Sequence, residues 1–312
     1  MRFLLSIILF ACIFLCSCSA TNPMPTETFY DSAISFDLTD AKSMINTLVS
    51  YKRNSEDGRN SVLNDVSDIL DKYGYEAEIQ EYTHNGAMLY HDMPYVIMGE
   101  KNLETPVSSE FFTVYDSNDA ASSRTDKNII FKKNSAIENS DTLIICAHYD
   151  SLEGQGANDN ASGVTALIET AKCIRNMRLN INICFCLFSG EELGLTGSRY
   201  FCGRLNSIDK EYIIGAINVD CVGGKNSGSF LIYTCDGLSN KLTDDLGLGS
   251  ENILKCSQSD HLSFYAAGIP SIMLCQDINL IDKKNDTIEN IDFSVIESAV
   301  NYLIEYISLY EC

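Results

Sequence analysis

Apolar runs alternate with amphipathic segments through most of the second half of the chain. Five continuous apolar runs predict strands buried inside a sheet. They are Leu143–Cys146, Ile181–Phe188, Ile213–Val219, Phe230–Thr234 and Ile269–Leu274. Apolar residues at helical spacing predict helices within 40–73, from Val164 to Ile174, from Glu192 to Cys202 and from Phe293 to Ile307. Alternating strands and helices predict an α/β fold, with a largely parallel sheet and helices on both faces.

The N-terminal pattern differs and predicts a signal peptide of the lipoprotein type over residues 1–18. Arg2 precedes the apolar run Phe3–Leu15, which is short for a membrane span. The string Leu15-Cys16-Ser17-Cys18 resembles a bacterial lipobox, in which a lipid on the last cysteine anchors the protein to the outer face of a membrane. Plain cleavage near Ala20 with full secretion is the alternative; either places the protein outside the cytoplasm.

Residues 19–39 contain Pro23 and Pro25 and predict a linker, which leaves residues 40–312 for one catalytic domain. Within that domain, the polar segment Ser117–Lys127 is expected to be an exposed loop.

Charge and cysteine content limit the function classes. The formal net charge of the 312 residues is -21, which argues against nucleic acid as a partner and is compatible with bound metal. The thirteen cysteines form no CxxC pair, so a cysteine zinc cluster is not expected. Those in apolar runs should be buried as small hydrophobes: Cys146, Cys184, Cys186 and Cys275. One or two disulfides remain open among Cys173, Cys202, Cys221, Cys235, Cys256 and Cys312.

A histidine and several acids follow the predicted strands, where an α/β sheet binds its ligands. His148 ends the first strand, and Asp150 could hydrogen-bond the ring nitrogen that does not face a metal. Asp159 lies in the glycine-bearing string Gly156–Gly163, just before a helix. As an isolated residue it would be interpreted as a helix N-cap.

Two more groups of acids follow later strands. Glu191 and Glu192 are adjacent after the second strand, and they repel each other unless one meets a cation and the other takes up a proton. That division suits hydrolysis, in which one carboxylate ligates a metal and its neighbour acts as general base. Asp220 ends the third strand. Together these residues predict a hydrolytic metal site.

The strings AHYDS, GANDNASG, FSGEELGLTGS, NVD and SDHLSFYAAGIP occur in this order. In this respect the chain resembles the co-catalytic two-zinc aminopeptidases, from about residue 40 to the C-terminus. The resemblance implies a three-layer zinc exopeptidase fold with a mixed, mainly parallel sheet, a peptide substrate and two zinc ions. It further implies that His148 and Asp220 bind one zinc, that Asp159 bridges both, that Glu192 binds the second, and that Glu191 is the general base. A cis peptide after Asp159 is also implied.

The chain departs from this family at one ligand of the second zinc. The family has a histidine in a Tyr-His-Thr-x-x-Asp-Thr context, whereas this chain reads Ile281-Asp282-Lys283-Lys284-Asn285-Asp286-Thr287. If the closing Asp-Thr pairs correspond, Asp282 takes the histidine's position. Asp282 is therefore predicted as a metal ligand, although oxygen favours harder ions than imidazole does, and the lysines beside it oppose a cation.

Two other functions stay open. A glutaminyl cyclase-like acyltransferase would use one zinc, held in that family by the counterparts of Asp159, Glu192 and the late histidine. A non-catalytic metal-binding surface lipoprotein is the other alternative.

Overall fold

An eight-stranded mixed sheet lies at the centre of the described part of the chain. The computed structural model describes residues 35–84, 124–152 and 154–312. The strands are β1 (Glu78–His84), β2 (Arg124–Lys133), β3 (Thr142–His148), β4 (Asn182–Phe188), β5 (Ile213–Val219), β6 (Leu231–Thr234), β7 (Ile253–Lys255) and β8 (Ser271–Cys275). Their order is β1-β2-β4-β3-β5-β8-β6-β7.

The four central strands, β4, β3, β5 and β8, run parallel to one another. β2 pairs antiparallel with both β1 and β4, and β6 pairs antiparallel with β8 and parallel with β7. The expectation of a mixed, mainly parallel sheet is confirmed. Because the central strands are parallel, the residues that follow them lie at one edge.

Helices cover both faces of this sheet. They are α1 (Leu38–Ser50), α2 (Glu56–Lys72), α3 (Gly163–Ile174), α4 (Thr196–Arg204), α5 (Ser207–Glu211), α6 (Lys241–Asp245), α7 (His261–Ala266) and α8 (Phe293–Ser308). Alternate residues of β3 belong to different cores: Leu143 and Ile145 pack with the cluster that includes α1, α2, α3 and α8, whereas Ile144 packs with Phe201 of α4 and Phe264 of α7. Successive side chains of a strand point to opposite faces of a sheet, so a strand between two helical layers contributes to two cores in turn. The three-layer prediction is therefore confirmed.

Two predicted boundaries need correction. The segment Ser117–Lys127 was expected to be an exposed loop, but residues 124–127 begin β2, and residues 117–123 lie outside the described part. The predicted linker over 19–39 extends too far, because Asp37 caps α1 by accepting from the backbone N–H groups of Thr39 and Asp40. The predicted signal peptide lies outside the described residues.

The ten described cysteines are free thiols, nine of them buried, including the four that were expected to pack as hydrophobes. Within the described residues, none of the helices combines the length and apolar character needed to cross a membrane.

A buried cluster of charged side chains joins Arg59 of α2 to His84 of β1 and Asp126 of β2. Asp126 contacts the Arg59 guanidinium at 2.6 Å and His84 Nε2 at 2.7 Å. Burial alone would raise the pKa of Asp126, but the hydrogen bond with His84 and the charge of Arg59 lower it overall. These contacts explain why a strand begins in a segment that looks polar, since each charged group is buried with a partner.

Asp126→Asn should therefore lower the free energy of unfolding by about 3–5 kcal/mol, because it leaves the Arg59 charge buried without its counter-ion. Urea titration at neutral pH measures this loss. The matched control is Lys241→Met, which removes an exposed partner of Asp245 and should cost about 0–1 kcal/mol. An equal decrease in the free energy of unfolding in the two variants would show that the buried cluster stabilises the fold no more than an exposed ion pair does. Because the folded-state pKa of Asp126 is lowered, its contribution should fade as the pH falls into the carboxyl range.

Candidate metal centre

His148, Asp159 and Asp220 converge at the carboxyl edge of the sheet. His148 ends β3, and Asp220 follows β5, its parallel neighbour. His148 Nε2 lies 3.2 Å from Asp159 Oδ1 and 3.5 Å from Asp220 Oδ1. One ligand atom from each of the three residues lies within 4.8 Å of the others. The sequence prediction thus placed these three residues together correctly.

The donor atoms of this cluster suit a divalent cation. His148 is fully buried, and neither its Nε2 nor the buried Asp220 Oδ1 has a hydrogen-bond partner among the described residues. Buried polar atoms usually have a hydrogen-bond partner, so two such atoms without one, 3.5 Å apart, fit the ligands of a bound metal. The surroundings are strongly negative: burial lowers the pKa of His148, but the charges of Glu191 and Asp220 raise it well above its ordinary value. Imidazole nitrogen and carboxylate oxygen are both ligands of zinc, and three protein ligands are the number found at catalytic zinc sites.

Asp150 connects this cluster to the adjacent glutamates. Its Oδ1 lies 3.4 Å from His148 Nδ1, on the ring nitrogen that does not face Asp159. Its carboxylate also accepts from the backbone N–H groups of Glu191 at 3.2 Å and Glu192 at 3.3 Å. Asp150 therefore lies between the imidazole, which it meets as a 3.4 Å ion-pair contact, and the glutamate turn, to which it is hydrogen-bonded.

Asp159 lies in an irregular turn, Ala157–Ser162, that leads into α3. The Asp159–Asn160 peptide bond is cis, as the resemblance implied. The Asn160 side chain donates to Val219 O and accepts from the backbone N–H of Gly163 and Cys221. This turn is therefore fixed against the end of β5.

Glu191 and Glu192 follow β4 in a turn that begins at Gly190, where φ is +73°. Burial raises the pKa of Glu191 well above its ordinary value, and the neighbouring charge of Glu192 adds to this. Burial and the charge of Asp159 likewise raise the pKa of Glu192 to about 8. Glu192 lies near Asp159, but it is not part of the 4.8 Å cluster.

Asp282 does not join the cluster in this structure. It is exposed, and its carboxylate accepts from the backbone N–H groups of Lys284 and Asn285 and from the Asn285 side chain at 2.7 Å. The next residue does reach the cluster: Lys283 Nζ lies 3.3 Å from Asp159 Oδ2. The negative charge of Asp159 raises the pKa of this ammonium group.

Sequence reasoning missed three residues that position the cluster. Arg53 is fully buried and donates to the carbonyls of Tyr149, Gln155 and Gly156. Asp286, noted only as part of the Asp-Thr pair, accepts from the backbone N–H groups of Asn158 and Asp159. Ser259 donates to Asp220 Oδ2 at 2.6 Å. Ser259 and Asp286 had a sequence signal, through the SDHLSFYAAGIP string and the Asp-Thr pair. Arg53 had none, because an arginine in a polar turn looks like a surface residue.

Comparison with known proteins gives a consistent result. Aminopeptidase YwaD of Bacillus subtilis (strain 168) is 32% identical over 163 residues, which are 49% of this chain and 36% of that protein. The structure of BSAP, described as a zinc aminopeptidase from Bacillus subtilis, matches with a TM-score of 0.68 at 17% identity, over 88% of this chain and 95% of that one. Porphyromonas gingivalis glutaminyl cyclase matches with a TM-score of 0.63 at 18% identity, over 88% and 98% of the respective chains.

The sheet and the cluster at its edge define an α/β protein of the zinc exopeptidase fold. The family model of peptidase family M28 matches residues 128–307, more than half of the chain, and the chain belongs to this family. The matched segments span only 31–36% of the first curated relatives' own lengths.

Because the Asp150 carboxylate lies beside His148 Nδ1, the ring nitrogen that does not face the cluster, Asp150→Asn should weaken zinc binding about 10- to 100-fold without unfolding the protein. Competition with a chromophoric chelator measures the affinity, and circular dichroism checks the fold. Asp209→Asn, an exposed change of the same kind in α5, is the control and should bind zinc as the wild type does. An unchanged affinity in Asp150→Asn would contradict the orienting role.

Proposed function

We propose that this chain is a zinc-dependent aminopeptidase that removes N-terminal residues from peptides. The observation that carries the proposal is the buried convergence of His148, Asp159 and Asp220 beside the buried Glu191, in a member of peptidase family M28. The printed names of relatives, an aminopeptidase and a zinc aminopeptidase among them, support the same activity.

His148, Asp159 and Asp220 would hold a zinc ion, which when bound polarises the scissile carbonyl and lowers the pKa of a nearby water. Three protein ligands are the usual number for a catalytic zinc, which keeps one position for water or substrate. Glu192 and Asp282 were predicted to bind a second ion, but the Asp282 carboxylate forms its hydrogen bonds within its own loop.

Glu191 is the proposed general base. It takes the proton of the attacking water and returns it to the leaving amine. Its burial suits this role, because a carboxyl with a raised pKa accepts a proton more readily than an exposed one.

Glu191→Gln should lower kcat on aminoacyl substrates about 10²- to 10⁴-fold, with zinc content unchanged, because the amide cannot take up the proton. Glu211→Gln makes the same change at an exposed site at the end of α5 and should keep full activity. Full zinc-dependent activity in Glu191→Gln would remove this residue from the mechanism.

The glutaminyl cyclase alternative fits the site less well. That reaction would need its zinc on the Asp159 and Glu192 side, where Lys283 contacts Asp159. An assay with an N-terminal glutaminyl peptide separates the two activities, since hydrolysis releases glutamine and cyclisation releases ammonia.

We further propose that the protein is attached to the outer face of a membrane by a lipid on Cys18. Support comes from the Leu15-Cys16-Ser17-Cys18 string after an apolar run.

In cells that process lipoproteins, Cys18→Ser should abolish incorporation of labelled fatty acid and shift the protein from the detergent phase to the aqueous phase. Cys16→Ser, two residues earlier, is the control and should keep the label. Labelling of the Cys18→Ser protein would exclude this anchor site.

A further inference from the structure

Asp159 uses its two carboxylate oxygens for two different positive partners. Oδ1 lies 3.2 Å from His148 Nε2, on the side of the His148–Asp220 pair. Oδ2 lies 3.3 Å from Lys283 Nζ. In the resembled family this aspartate bridges two zinc ions, whereas here one of its oxygens meets an ammonium group.

Asp282, which was predicted to be a metal ligand, forms hydrogen bonds within its own loop instead. Asp282 forms hydrogen bonds with Lys284 N, Asn285 N and Asn285 Nδ2, all inside its own loop. These bonds close a turn in which Lys283 is the next residue. The carboxylate of Asp282 thus stabilises the turn that carries Lys283, and it does not contact Asp159.

The loop that contains Lys283 is hydrogen-bonded to the turn that contains Asp159. Asp286, three residues further on, accepts from the backbone N–H groups of Asn158 and Asp159. Ile288 N donates to Gln155 Oε1 at 3.0 Å. Lys283 is therefore brought to Asp159 by bonds that do not involve its own side chain.

An ammonium group and a metal ion compete for one carboxylate oxygen, because like charges at such distances repel. Among the described histidines, His84 contacts Asp126 and His261 Nε2 contacts Cys256 O, so neither supplies an imidazole beside Lys283. The groups whose charge acts on Lys283 are Asp159, the buried thiol of Cys221 and Glu192, so the ammonium group faces two acids.

We propose that the Lys283 ammonium replaces the second metal ion of the resembled family, so that this chain holds one metal, bound by His148, Asp159 and Asp220. The proposal deepens the proposed function and rests on its metal centre. It assigns Lys283 as a positioning residue, which neutralises Asp159 Oδ2 and holds this carboxylate toward His148.

The test is the zinc content of the purified protein after loading with excess zinc and dialysis, measured by elemental analysis against protein concentration. The wild type should retain one zinc per chain. Lys283→His removes the charge and supplies a ligand beside Asp159 Oδ2, and it should retain two. Lys284→His, the matched change at the neighbouring exposed lysine, should retain one.

Two outcomes would overturn the proposal: two zinc ions in the wild type, or no extra zinc in Lys283→His relative to Lys284→His. Cobalt-loaded protein gives an independent readout, since spin coupling between two ions is expected only in Lys283→His. Failure here is separable from failure of the proposed function: an active peptidase with two zinc ions contradicts the single-metal proposal alone, whereas an inactive protein with one zinc contradicts the peptidase alone.

Discussion

Mutual repulsion of carboxylates is the constraint on which the rest of the structure depends. Asp150, Asp159, Glu191, Glu192 and Asp220 gather at one edge of the sheet, where burial removes the water that would otherwise screen their repulsion. Burial raises the pKa of both glutamates, and the charges of the neighbouring carboxylates raise it further. A folded state with this arrangement therefore requires positive charge near the carboxylates. Whether a metal ion or a basic side chain supplies this charge determines which reactions the site can catalyse.

Segments that are distant in sequence supply the positive charge and the hydrogen bonds. Arg53 lies between α1 and α2, yet its guanidinium binds the carbonyls of the loop after β3. Asp286 lies just before α8 and binds the backbone of the Asp159 turn. The metal centre is thus stabilised by both ends of the domain, so its geometry depends on complete folding of the three layers and not on the motif loops alone.

This dependence explains what the sequence could and could not predict. The structure brings the predicted residues His148 and Asp220 together because a parallel sheet carries the ends of neighbouring strands to one edge. Asp159 joins them through the turn that leads into α3. Arg53 could not be found, since a buried arginine and an exposed one have the same neighbours in sequence. The beginning of β2 was missed because Asp126 and its buried partners make a core segment look polar. Asp282 and Lys283 are adjacent, and only the hydrogen bonds of the loop determine which of them faces Asp159.

Arg53 and Lys283, the two basic residues beside the acids, differ in burial and therefore in role. Arg53 is fully buried, and its carbonyl partners fix it in place, so its charge belongs to the folded scaffold. The Lys283 side chain is 69% exposed and contacts only one carboxylate oxygen of the cluster. A long, exposed side chain keeps much of its rotamer freedom, and its ion pair weakens with salt. Lys283 therefore neutralises Asp159 Oδ2 by its charge and by the position of its loop, whereas Arg53 is also fixed by the hydrogen bonds of its own side chain.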